Sequence, residues 1–482
     1  MSSLLNKVGT VVVLGGGISG LAAAYKLTKM SPAPSKILLL EASSRLGGWV
    51  HSTRHPDGIV YECGPRTIRP AGESGATTLS LVEDLGLQDQ VLNIKSGHPT
   101  TMNRLIYVGG KLHPLPTNMR AVFKTVAPFQ APLISAVFRD LITKRSPEVD
   151  ESMYSFVERR LGKDLAEFAI DPLVRGVCAG DAREISVNFL LKSLKDAEQK
   201  HGSVTWGLIR QALKPKDKTS VSAPESVLAK EAKSQRWAVW SLQGGLQTLP
   251  DTLAHKLSED GVELYTESPC SGIEFRNGGQ EAVVQVGNQE IMASQVVSTV
   301  PAAKLASLLA PQHPVLAKSL GSIPSVTVGL VNLEWDGPRL QQEAFGFLVP
   351  STQKLPVLGI VYDSCSFPQD NKTILTVMMG GKWFHELFGP NPEPEQLLKI
   401  ALQQIESVLG IKDAPVRSQV SILENCIPQY VIGHLERVKQ SRQYIAEHRL
   451  NLHLAGASYD GPSVNDCIHY AYKAVEKMYG QK

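Results

Sequence analysis

The 482-residue sequence is poor in the features that set a protein's class at once. Its six cysteines are scattered, and none has the C-x-x-C or Cys/His spacing of a zinc or iron–sulfur site, so we expect no metal centre. No stretch reaches the ~20 consecutive apolar residues that a membrane-spanning helix needs. The N-terminus lacks a signal-peptide pattern, and a predicted strand begins near Thr10, so we expect no cleavable leader.

The charge of the chain is nearly balanced overall but uneven along its length. The 49 basic and 46 acidic residues give a net charge of +3, so we expect no nucleic-acid partner. Hydrophobic residues make up 43% of the chain, enough for a large core spread over two or three domains. Residues 96–147 hold seven basic side chains against one acidic, and this field predicts an anionic partner, either acidic lipid or an acidic substrate. The basic residues are Arg104, Lys111, Arg120, Lys124, Arg139, Lys144 and Arg145.

Residues 11–27, VVVLGGGISGLAAAYKL, read as a strand, a glycine turn and a helix. Gly15, Gly17 and Gly20 supply the three glycine positions of a dinucleotide-binding βαβ unit, in which the helix N-terminus faces the diphosphate. The next predicted strand ends in Glu41, at the position where a carboxylate accepts hydrogen bonds from an adenosine ribose. The motif predicts a bound dinucleotide but does not by itself separate a nicotinamide from a flavin.

A second glycine turn follows Glu41 directly, in EASSRLGGWV. The Arg-x-Gly-Gly turn from Arg45 to Gly48 resembles the flavoprotein family that includes amine oxidases, phytoene desaturases and protoporphyrinogen oxidases. The segment from Leu450 to Met478 resembles the C-terminal strand and helix of the same family. The resemblance implies an α/β fold with a Rossmann-like FAD-binding domain of the glutathione-reductase-2 type, a β-rich substrate domain and a helical membrane-binding domain.

The resemblance implies one non-covalently bound FAD per chain. It places a backbone group near Cys270 beside the adenine, and it points a helix that starts near Val464 at the pyrimidine end of the flavin. The cofactor-binding residues that it implies are Gly15, Gly16, Gly17, Ile18, Ser19, Gly20, Glu41, Arg45, Gly48, Trp49, Gly64, Pro65, Arg66, Thr67, Cys270, Pro462, Ser463 and Val464.

The order of the motifs predicts an FAD-binding domain assembled from separate segments of the chain. Two insertions interrupt it, the first mostly helical and the second rich in alternating strand patterns. The expected boundaries are 1–90, 236–310 and 421–482 for the FAD-binding parts, 91–235 for a membrane-binding and substrate-channel domain, and 311–420 for a substrate-binding β-sheet domain.

Seven segments, in order along the chain, resemble the animal mitochondrial protoporphyrinogen oxidases within this family. They are ECGPRTIRPAG (62–72), NRLIYVGGKLHPLP (103–116), DPLVRGVCAGDAREIS (171–186), GFLVPS (346–351), LGIVYDS (358–364), ENCIPQY (424–430) and LAGASYDG (454–461). The resemblance implies the six-electron oxidation of protoporphyrinogen IX to protoporphyrin IX in haem synthesis. FAD would take up hydride equivalents and pass electrons to O2, giving H2O2, and no protein side chain is expected to act as an obligatory base.

The same resemblance assigns the residues that hold the substrate. Arg104 matches an arginine that pairs with a propionate, and a fork of two hydrogen bonds would fix the orientation of the macrocycle. Leu348 and Met378 match residues that sandwich the rings. The remaining slot residues are Gly176, Phe345 and Gly346. The alternatives are a surface arginine in a basic patch for Arg104 and ordinary core packing for the two apolar side chains.

The stretch from Met119 to Arg145 mixes large apolar residues with arginine and lysine and holds almost no acid. This composition is typical of helices that lie in a bilayer interface. The alternative is a helical hairpin packed into the protein core. Together with the resemblance, the stretch implies a peripheral protein of the mitochondrial inner membrane, expected as a homodimer and with ferrochelatase as a partner.

Three competing functions share parts of this pattern. Another FAD-dependent amine oxidase would share the cofactor motifs but would need an aromatic cage near the flavin. Such enzymes often also have a cysteine that binds flavin covalently. A non-enzymatic protein similar to the GDP-dissociation inhibitors would keep a glycine turn without flavin. A nicotinamide dehydrogenase is disfavoured because its second binding half is missing. The intact Arg45–Gly48 turn favours the flavoenzyme.

Overall fold

The computed structural model describes residues 9–116, 122–213 and 226–480. These residues fall into two compact units, each assembled from separate stretches of chain. The first unit comprises the described parts of Met1–Lys95, Pro224–Pro324 and Leu435–Lys482. The second unit comprises the described parts of Ser96–Ala223 and Ser325–His434.

The strands are numbered in chain order. They are β1 (Thr10–Leu14), β2 (Lys36–Leu40), β3 (Ser52–Arg54), β4 (Val60–Glu62), β5 (Val91–Lys95), β6 (Leu105–Val108), β7 (Lys111–Pro114), β8 (Trp237–Leu242), β9 (Glu263–Tyr265), β10 (Cys270–Arg276), β11 (Glu281–Val286), β12 (Gln289–Ala293), β13 (Gln295–Ser298), β14 (Ser325–Asp336), β15 (Gly346–Leu348), β16 (Val357–Tyr362), β17 (Lys372–Gly381), β18 (Arg417–Pro428) and β19 (Leu452–Leu454).

The helices are numbered in the same way. They are α1 (Ile18–Thr28), α2 (Gly72–Asp84), α3 (Pro99–Met102), α4 (Ile134–Ile142), α5 (Met153–Leu161), α6 (Lys163–Leu165), α7 (Asp171–Cys178), α8 (Val187–Leu190), α9 (Lys192–His201), α10 (Val204–Leu213), α11 (Val227–Ser234), α12 (Thr248–Glu259), α13 (Ala302–Leu309), α14 (Pro314–Gly321), α15 (Asp363–Ser366), α16 (Phe384–Phe388), α17 (Pro394–Leu409), α18 (His434–Glu447) and α19 (Val464–Met478).

The first unit is built on a five-stranded parallel sheet in the order β19-β13-β1-β2-β9. Its central strands are continuous apolar runs because both faces of a parallel sheet are covered. Val11 and Val13 pack with α1, α2 and α19, whereas Val12 and Leu14 pack with β10, β11 and α13 on the opposite face. The sheet therefore holds the loops that follow β1 and β2 side by side at its carboxyl edge, where α/β proteins bind ligands.

The second unit is built on a seven-stranded mixed sheet in the order β18-β14-β17-β16-β15-β6-β7. The pairing of β15 with β6 is parallel, and its other ladders are antiparallel. Leu397, Ala401 and Ile405 of α17 cover one face of this sheet. Helix α7 contacts β15 and β16, and helices α4 to α10 precede the strands β14 to β18 in the chain.

The two compact units are divided differently from the expected domain plan. The helical stretch 91–235 and the sheet 311–420 were expected as two domains, but most of both lies in one unit. The physical reason is that β6 and β7 come from the helical stretch and pair into the seven-stranded sheet through β15. The outer parts of the stretch belong to the first unit, where β5 pairs with β8.

Within the described ranges, none of the helices is both long enough and apolar enough to cross a membrane.

Candidate dinucleotide and substrate sites

The glycine turn after β1 is packed so tightly that side chains are excluded from it. An added Cβ at Gly20 would lie 1.8 Å from the carbonyl oxygen of Gly15, and Gly15 itself has a φ of +97°. Gly17 is the N-cap of α1, whose first turn has no acidic residue and no capping side chain. The turn therefore leaves the first N–H groups of α1 available to an anion such as a diphosphate.

Thr299, at the end of β13, fixes this turn and was missed by the sequence analysis. Its hydroxyl donates to the carbonyl oxygens of Leu14 at 2.8 Å and Gly15 at 3.2 Å. Because β13 is distant in sequence and pairs with β1 only in the fold, no local pattern around Thr299 indicates this contact.

Glu41 lies at the end of β2, as predicted, and is already engaged with the protein. Its Oε2 accepts from the N–H of Gly16 at 2.7 Å, and its Oε1 accepts from the N–H and hydroxyl of Ser43 at 2.8 and 2.7 Å. A carboxylate offers about four lone-pair positions, so these three hydrogen bonds leave capacity for one more donor. The carboxylate is thereby held in a fixed orientation beside the glycine turn.

The second glycine turn packs directly on the first. The N–H of Gly47 donates to the carbonyl oxygen of Gly16 at 2.8 Å, and an added Cβ at Gly48 would lie 2.9 Å from the Cα of Gly17. The Arg45 side chain donates to the carbonyls of Leu46 and Gly48, and burial lowers the pKa of its guanidinium. Arg45 therefore stabilises its own turn, a contact that was not foreseen when the resemblance placed the residue among the cofactor-binding residues.

The other predicted cofactor residues also lie in the first unit. An added Cβ at Gly64 would lie 1.9 Å from the carbonyl oxygen of Trp49, so these two segments touch, and Pro65, Arg66 and Thr67 follow in a half-buried stretch. The Trp49 side chain is 42% exposed.

The segment before Cys270 lies along the chain at Glu41. The N–H of Glu41 donates to the carbonyl of Tyr265, and the N–H of Ser268 donates to the carbonyl of Glu41, both at 2.8 Å. The start of β10 at Cys270 therefore comes two residues after the segment that is hydrogen-bonded to Glu41, the ribose-binding candidate.

Helix α19 brings a second helix N-terminus to α1. Ser463 caps α19 by accepting from the N–H of Asp466 at 3.1 Å, and a hydrogen bond joins the side chains of Ser19 and Cys467. Asn465, in the first turn of α19, donates to the carbonyl of Arg69 at 2.8 Å. Its Oδ1 is buried, and among the described residues it has no hydrogen-bond partner. A buried acceptor without a donor is costly, so this atom points to a donor supplied by a bound group.

These observations fit a dinucleotide. The N-termini of α1 and α19 lie together and can both face an anion. Added Cβ atoms at Gly20, Gly48 and Gly64 would lie less than 3 Å from the backbone, so side chains are excluded there. The buried Oδ1 of Asn465 can accept a hydrogen bond from a bound group. The candidate site for a diphosphate therefore lies at the ends of β1 and β2 and the start of α19, and α19 begins more than 400 residues after β2.

The predicted substrate residues lie in the second unit, and the sheet joins two of them in one row. Leu348 is opposite Gly359, and Gly359 is opposite Met378. Directly opposite residues of adjacent strands project from the same face, so both apolar side chains lie on one face, on either side of Gly359. The Leu348 side chain covers this glycine, since an added Cβ at Gly359 would lie 2.9 Å from Leu348 Cδ2. Leu358 is the extra residue of a β-bulge in this row, and such bulges are frequent beside binding sites. Gly359 and the bulge at Leu358 were not assigned from the sequence.

Two of the predicted slot glycines have protein neighbours that already require them. An added Cβ at Gly176 would lie 2.4 Å from Leu348 Cδ2, so α7 packs directly on Leu348. Gly346 has a φ of +137°, and an added Cβ would lie 2.1 Å from the carbonyl oxygen of Ile360. Both glycines are therefore explained by strand and helix packing, and their role in admitting a macrocycle stays a prediction.

Arg104 and Phe345 stand at the edge of the same unit's sheet. Arg104 immediately precedes β6 and is exposed, with its carbonyl accepting from the N–H of Leu115 at 2.8 Å. Among the described residues, its guanidinium has no hydrogen-bond or ion-pair partner. Phe345 is half-buried, and its carbonyl accepts from the N–H of Tyr362 at 3.0 Å. An exposed guanidinium without a protein partner is free to pair with a carboxylate.

Comparison with known proteins gives full-length similarities. The profile of the family described as flavin containing amine oxidoreductase matches residues 18–478. The chain is similar to the protoporphyrinogen oxidases of Macaca fascicularis and Homo sapiens, each 43% identical over 477 residues and covering 98% of both chains. The solved structure of a protein from Exiguobacterium sp. 255-15 superposes with a TM-score of 0.79 at 25% identity and covers 100% of both chains.

Proposed function

Because this chain belongs to the flavin-containing amine oxidoreductase family, we propose that it oxidises protoporphyrinogen IX to protoporphyrin IX in haem biosynthesis. The chain is an FAD-dependent oxidoreductase with the α/β flavoprotein fold, which confirms the predicted FAD-binding fold, the FAD cofactor and the enzyme class. The helical membrane-binding domain of the expected fold stays a prediction. The observation that carries the proposal is the 43% identity to animal protoporphyrinogen oxidases along 98% of the chain.

The proposed reaction removes six electrons and six protons from the porphyrinogen and reduces three O2 to three H2O2. FAD, when bound, supplies the hydride acceptor and the site of reaction with O2. The protein's own residues bind and orient the cofactor and the substrate. With FAD bound, the first N–H groups of α1 and α19 would face the diphosphate and the flavin, Glu41 would accept from the ribose, and Asn465 would offer its unpaired Oδ1.

The second unit would hold the macrocycle. The row of Leu348, Gly359 and Met378 offers an apolar face to a flat ring, and Arg104 offers a cation to a propionate. We assign no side chain as an obligatory base, because the pyrrole N–H protons can leave through tautomerism in an apolar slot.

The proposed activity is tested on purified protein. The native protein should be yellow, and adding protoporphyrinogen IX should give porphyrin fluorescence with H2O2 formed in step. A colourless protein would contradict the cofactor assignment. A yellow protein that oxidises amines but leaves protoporphyrinogen unchanged would favour another amine oxidase.

We propose further that the FAD is bound without a covalent bond. Covalent attachment through a cysteine needs a reactive thiolate, and burial raises the pKa of the Cys426 thiol to about 12, so this thiolate is disfavoured. Acid precipitation should release the yellow colour to the supernatant, and colour retained on the pellet would contradict the proposal.

The helices α4 and α10 support the proposal of a peripheral membrane protein. On α4, Phe138 is 65% and Ile142 83% exposed, four residues apart on one face. On α10, Trp206 and Leu213 are also exposed, Leu213 by 77%, and Ile209 lies between them on the same face. Large apolar side chains exposed together, with basic residues beside them, are typical of a surface that rests in a bilayer interface.

A buried carboxylate holds these two helices together. Asp140 of α4 accepts from the hydroxyl of Ser203 at 2.6 Å and from the N–H of Thr205 at 2.7 Å, at the start of α10. The buried Arg160 lies 3.2 Å from Asp140 and donates to the carbonyl of Gly202. The two apolar faces are therefore joined into one surface, which we name the α4–α10 surface. The stretch from Met119 to Arg145, predicted from the sequence to rest in a bilayer interface, does not include α10, and its residues 119–121 lie outside the described residues.

Vesicle flotation tests the membrane proposal. Replacing Phe138 and Ile142 by serine should lower recovery on anionic vesicles about tenfold or more, since each buried large apolar side chain contributes roughly 1.5–3 kcal/mol. Serine at the exposed Val315 and Met292 of the first unit is the matched control and should leave recovery unchanged. If wild type, the Phe138 and Ile142 variant and the control variant were recovered equally, and salt had no effect on their recovery, the proposal would be contradicted. The proposed membrane is the mitochondrial inner membrane.

The two protein partners are also proposals, which rest on the family resemblance. We propose a homodimer, which sedimentation of the purified protein tests, and an association with ferrochelatase, which co-sedimentation with that enzyme tests. A monomer at all concentrations would contradict the first proposal, and independent sedimentation would contradict the second.

A further inference from the structure

A cavity of about 620 Å3 opens beside helix α4 in the second unit. It is lined by side chains of α4, α5 and α6 and of the segment between α4 and α5, and it is well separated in sequence from the row of Leu348 and Met378. The charged side chains of its lining are Arg139, Glu151, Glu158, Arg159 and Lys163. Neither the oxidation reaction nor the cofactor uses any of these residues.

The floor of the cavity is a closed ionic network. Arg159 donates to Glu151 at 2.7 Å and to Glu198 at 2.8 Å, and Lys195 contacts both carboxylates at 2.8 and 3.1 Å. Glu198 is fully buried and also accepts from Arg160 at 2.9 Å. Asp140, 3.2 Å from Arg160, is the third carboxylate, so the three cations and three carboxylates are mutually compensated and the floor offers no charge to a ligand.

The rim of the cavity differs from its floor. Arg139 donates its Nε–H to the carbonyl of Arg159 at 3.2 Å, and within the described part of the chain its two terminal nitrogens have no partner. The Arg139 side chain passes over Gly162, since an added Cβ there would lie 3.8 Å from Arg139 Cδ. Lys163 is the next residue and is exposed, again with no partner among the described residues. Two cations without protein counter-charges are thus presented at one opening, against the single carboxylate of Glu158.

The position of Arg139 connects the cavity to the α4–α10 surface. Arg139 follows Phe138 directly on α4, at the border of the apolar face formed by Phe138, Leu141 and Ile142. A molecule with an acyl chain against that face would have its polar end at the rim of the cavity. Two close cations, one of them an arginine, match the charge and the hydrogen-bond acceptors of a phosphate.

From this juxtaposition we propose that the cavity binds the phosphate of an anionic phospholipid, with Arg139 and Lys163 as the two cationic contacts. The proposal rests on the proposed membrane association and adds to it a recognition site for one class of lipid headgroup. The site makes binding depend on the chemistry of the headgroup as well as on surface charge.

The experiment compares two kinds of vesicle at equal surface charge. Phosphatidylcholine vesicles carry either phosphatidic acid or oleate, and flotation of the holoenzyme is measured on each. We expect wild type to bind the phosphatidic acid vesicles about tenfold more tightly or better, as expected for one charge-assisted contact. The double variant Arg139→Gln with Lys163→Gln should lose this preference. Lys399→Gln with Lys412→Gln removes two exposed lysines of the same unit and should keep it.

Each other outcome is decisive. Wild-type binding to both vesicles without preference overturns the headgroup site and leaves the membrane proposal standing, whereas no binding to either overturns both. Loss of the preference in the lysine control shows a general charge effect and also overturns the site. Soluble glycerol phosphate should compete for the phosphatidic acid vesicles. Wild type could show no preference between the two vesicles while glycerol phosphate still lowered its flotation saturably. That result would identify a free phosphate ester as the ligand and overturn the lipid assignment.

Discussion

At the scale of single residues, the two candidate sites differ in how strongly the fold constrains them. The glycines of the dinucleotide site are fixed by backbone contacts, and Gly20 and Gly48 leave no room for a methyl group. Arg104, in contrast, is exposed and contributes no described side-chain contact to the fold. Substitutions in the first site should therefore act through the cofactor, and those at Arg104 through the substrate.

Gly20→Ala should abolish FAD binding. The added methyl group would lie 1.8 Å from the carbonyl oxygen of Gly15, so the turn or α1 must move away from the diphosphate position. Gly321→Ala is the matched control, because its Cβ would meet Ala306 at an ordinary 3.5 Å. Flavin absorbance per protein after desalting is the measurement, and equal flavin content in both variants would contradict the assigned turn.

Arg104→Ala should weaken substrate use and leave flavin content unchanged. Loss of a charge-assisted hydrogen bond of ~1.5–3 kcal/mol corresponds to roughly tenfold to a hundredfold in affinity. The loss appears in KM if the contact is equal in ground and transition states, and Arg104→Lys should recover only part of it.

A double-mutant cycle with the propionate dimethyl ester of the substrate checks the Arg104 contact. Esterification should lower the kcat/KM of wild type by a larger factor than that of Arg104→Ala, because the variant has no guanidinium to pair with the propionate. The same cost in both enzymes would show that Arg104 does not contact the propionate.

At the scale of elements, the sequence predicts structure formed by local contacts better than structure formed by contacts between distant segments. The strand, turn and helix of residues 11–27 and the carboxylate at Glu41 are local patterns, and each lies where it was predicted. The two compact units do not follow the predicted division into a helical and a sheet domain, because the short strands β6 and β7 join a sheet whose other strands lie over 200 residues later. The partner of α4 was missed for the same reason, since Asp140 reaches Ser203 across the helices between them.

The ionic network beneath α4 should make these helices sensitive to acid. Burial raises the pKa of Glu198, but hydrogen bonds from Arg159 and Lys195 outweigh it and bring the pKa down to about 2, from an ordinary 4.5. A depressed pKa stabilises the fold above the ordinary value, and the stabilisation is lost as the pH falls from about 4.5 through about 2.

Hydrogen exchange in α5 and α9 measures this loss. Protection should fall over that pH range in wild type. Glu198→Gln should be less protected already at neutral pH, because the buried cations lose a counter-charge, and should change less on acidification. Glu436→Gln, at an exposed glutamate of α18, should follow wild type. If protection in Glu198→Gln fell on acidification as much as in wild type, Glu198 would not be the group responsible for the acid sensitivity.

At the scale of the whole molecule, the cofactor and the sheet face belong to different units. Bound FAD should stabilise the unit that holds its diphosphate, by about 2.7 kcal/mol at a free concentration of 100 times the Kd. On removal of FAD, hydrogen exchange should increase most in β1, β2, α1 and α19. An increase confined to the seven-stranded sheet would contradict the assignment of the cofactor to the first unit.

The assembly of the first unit from three stretches of chain has a consequence for biosynthesis. A ribosome makes the glycine turn and Glu41 within the first tenth of the sequence, but the strand β19 and the helix α19 appear only after residue 450. The nascent polypeptide therefore carries an incomplete dinucleotide site through most of its synthesis. Its early parallel strands lack the neighbour that closes the sheet beyond β13. Flavin capture is consequently a late, post-translational event, and a chaperone that shields β1 and β2 until then would act on the holoenzyme's yield and not on its turnover.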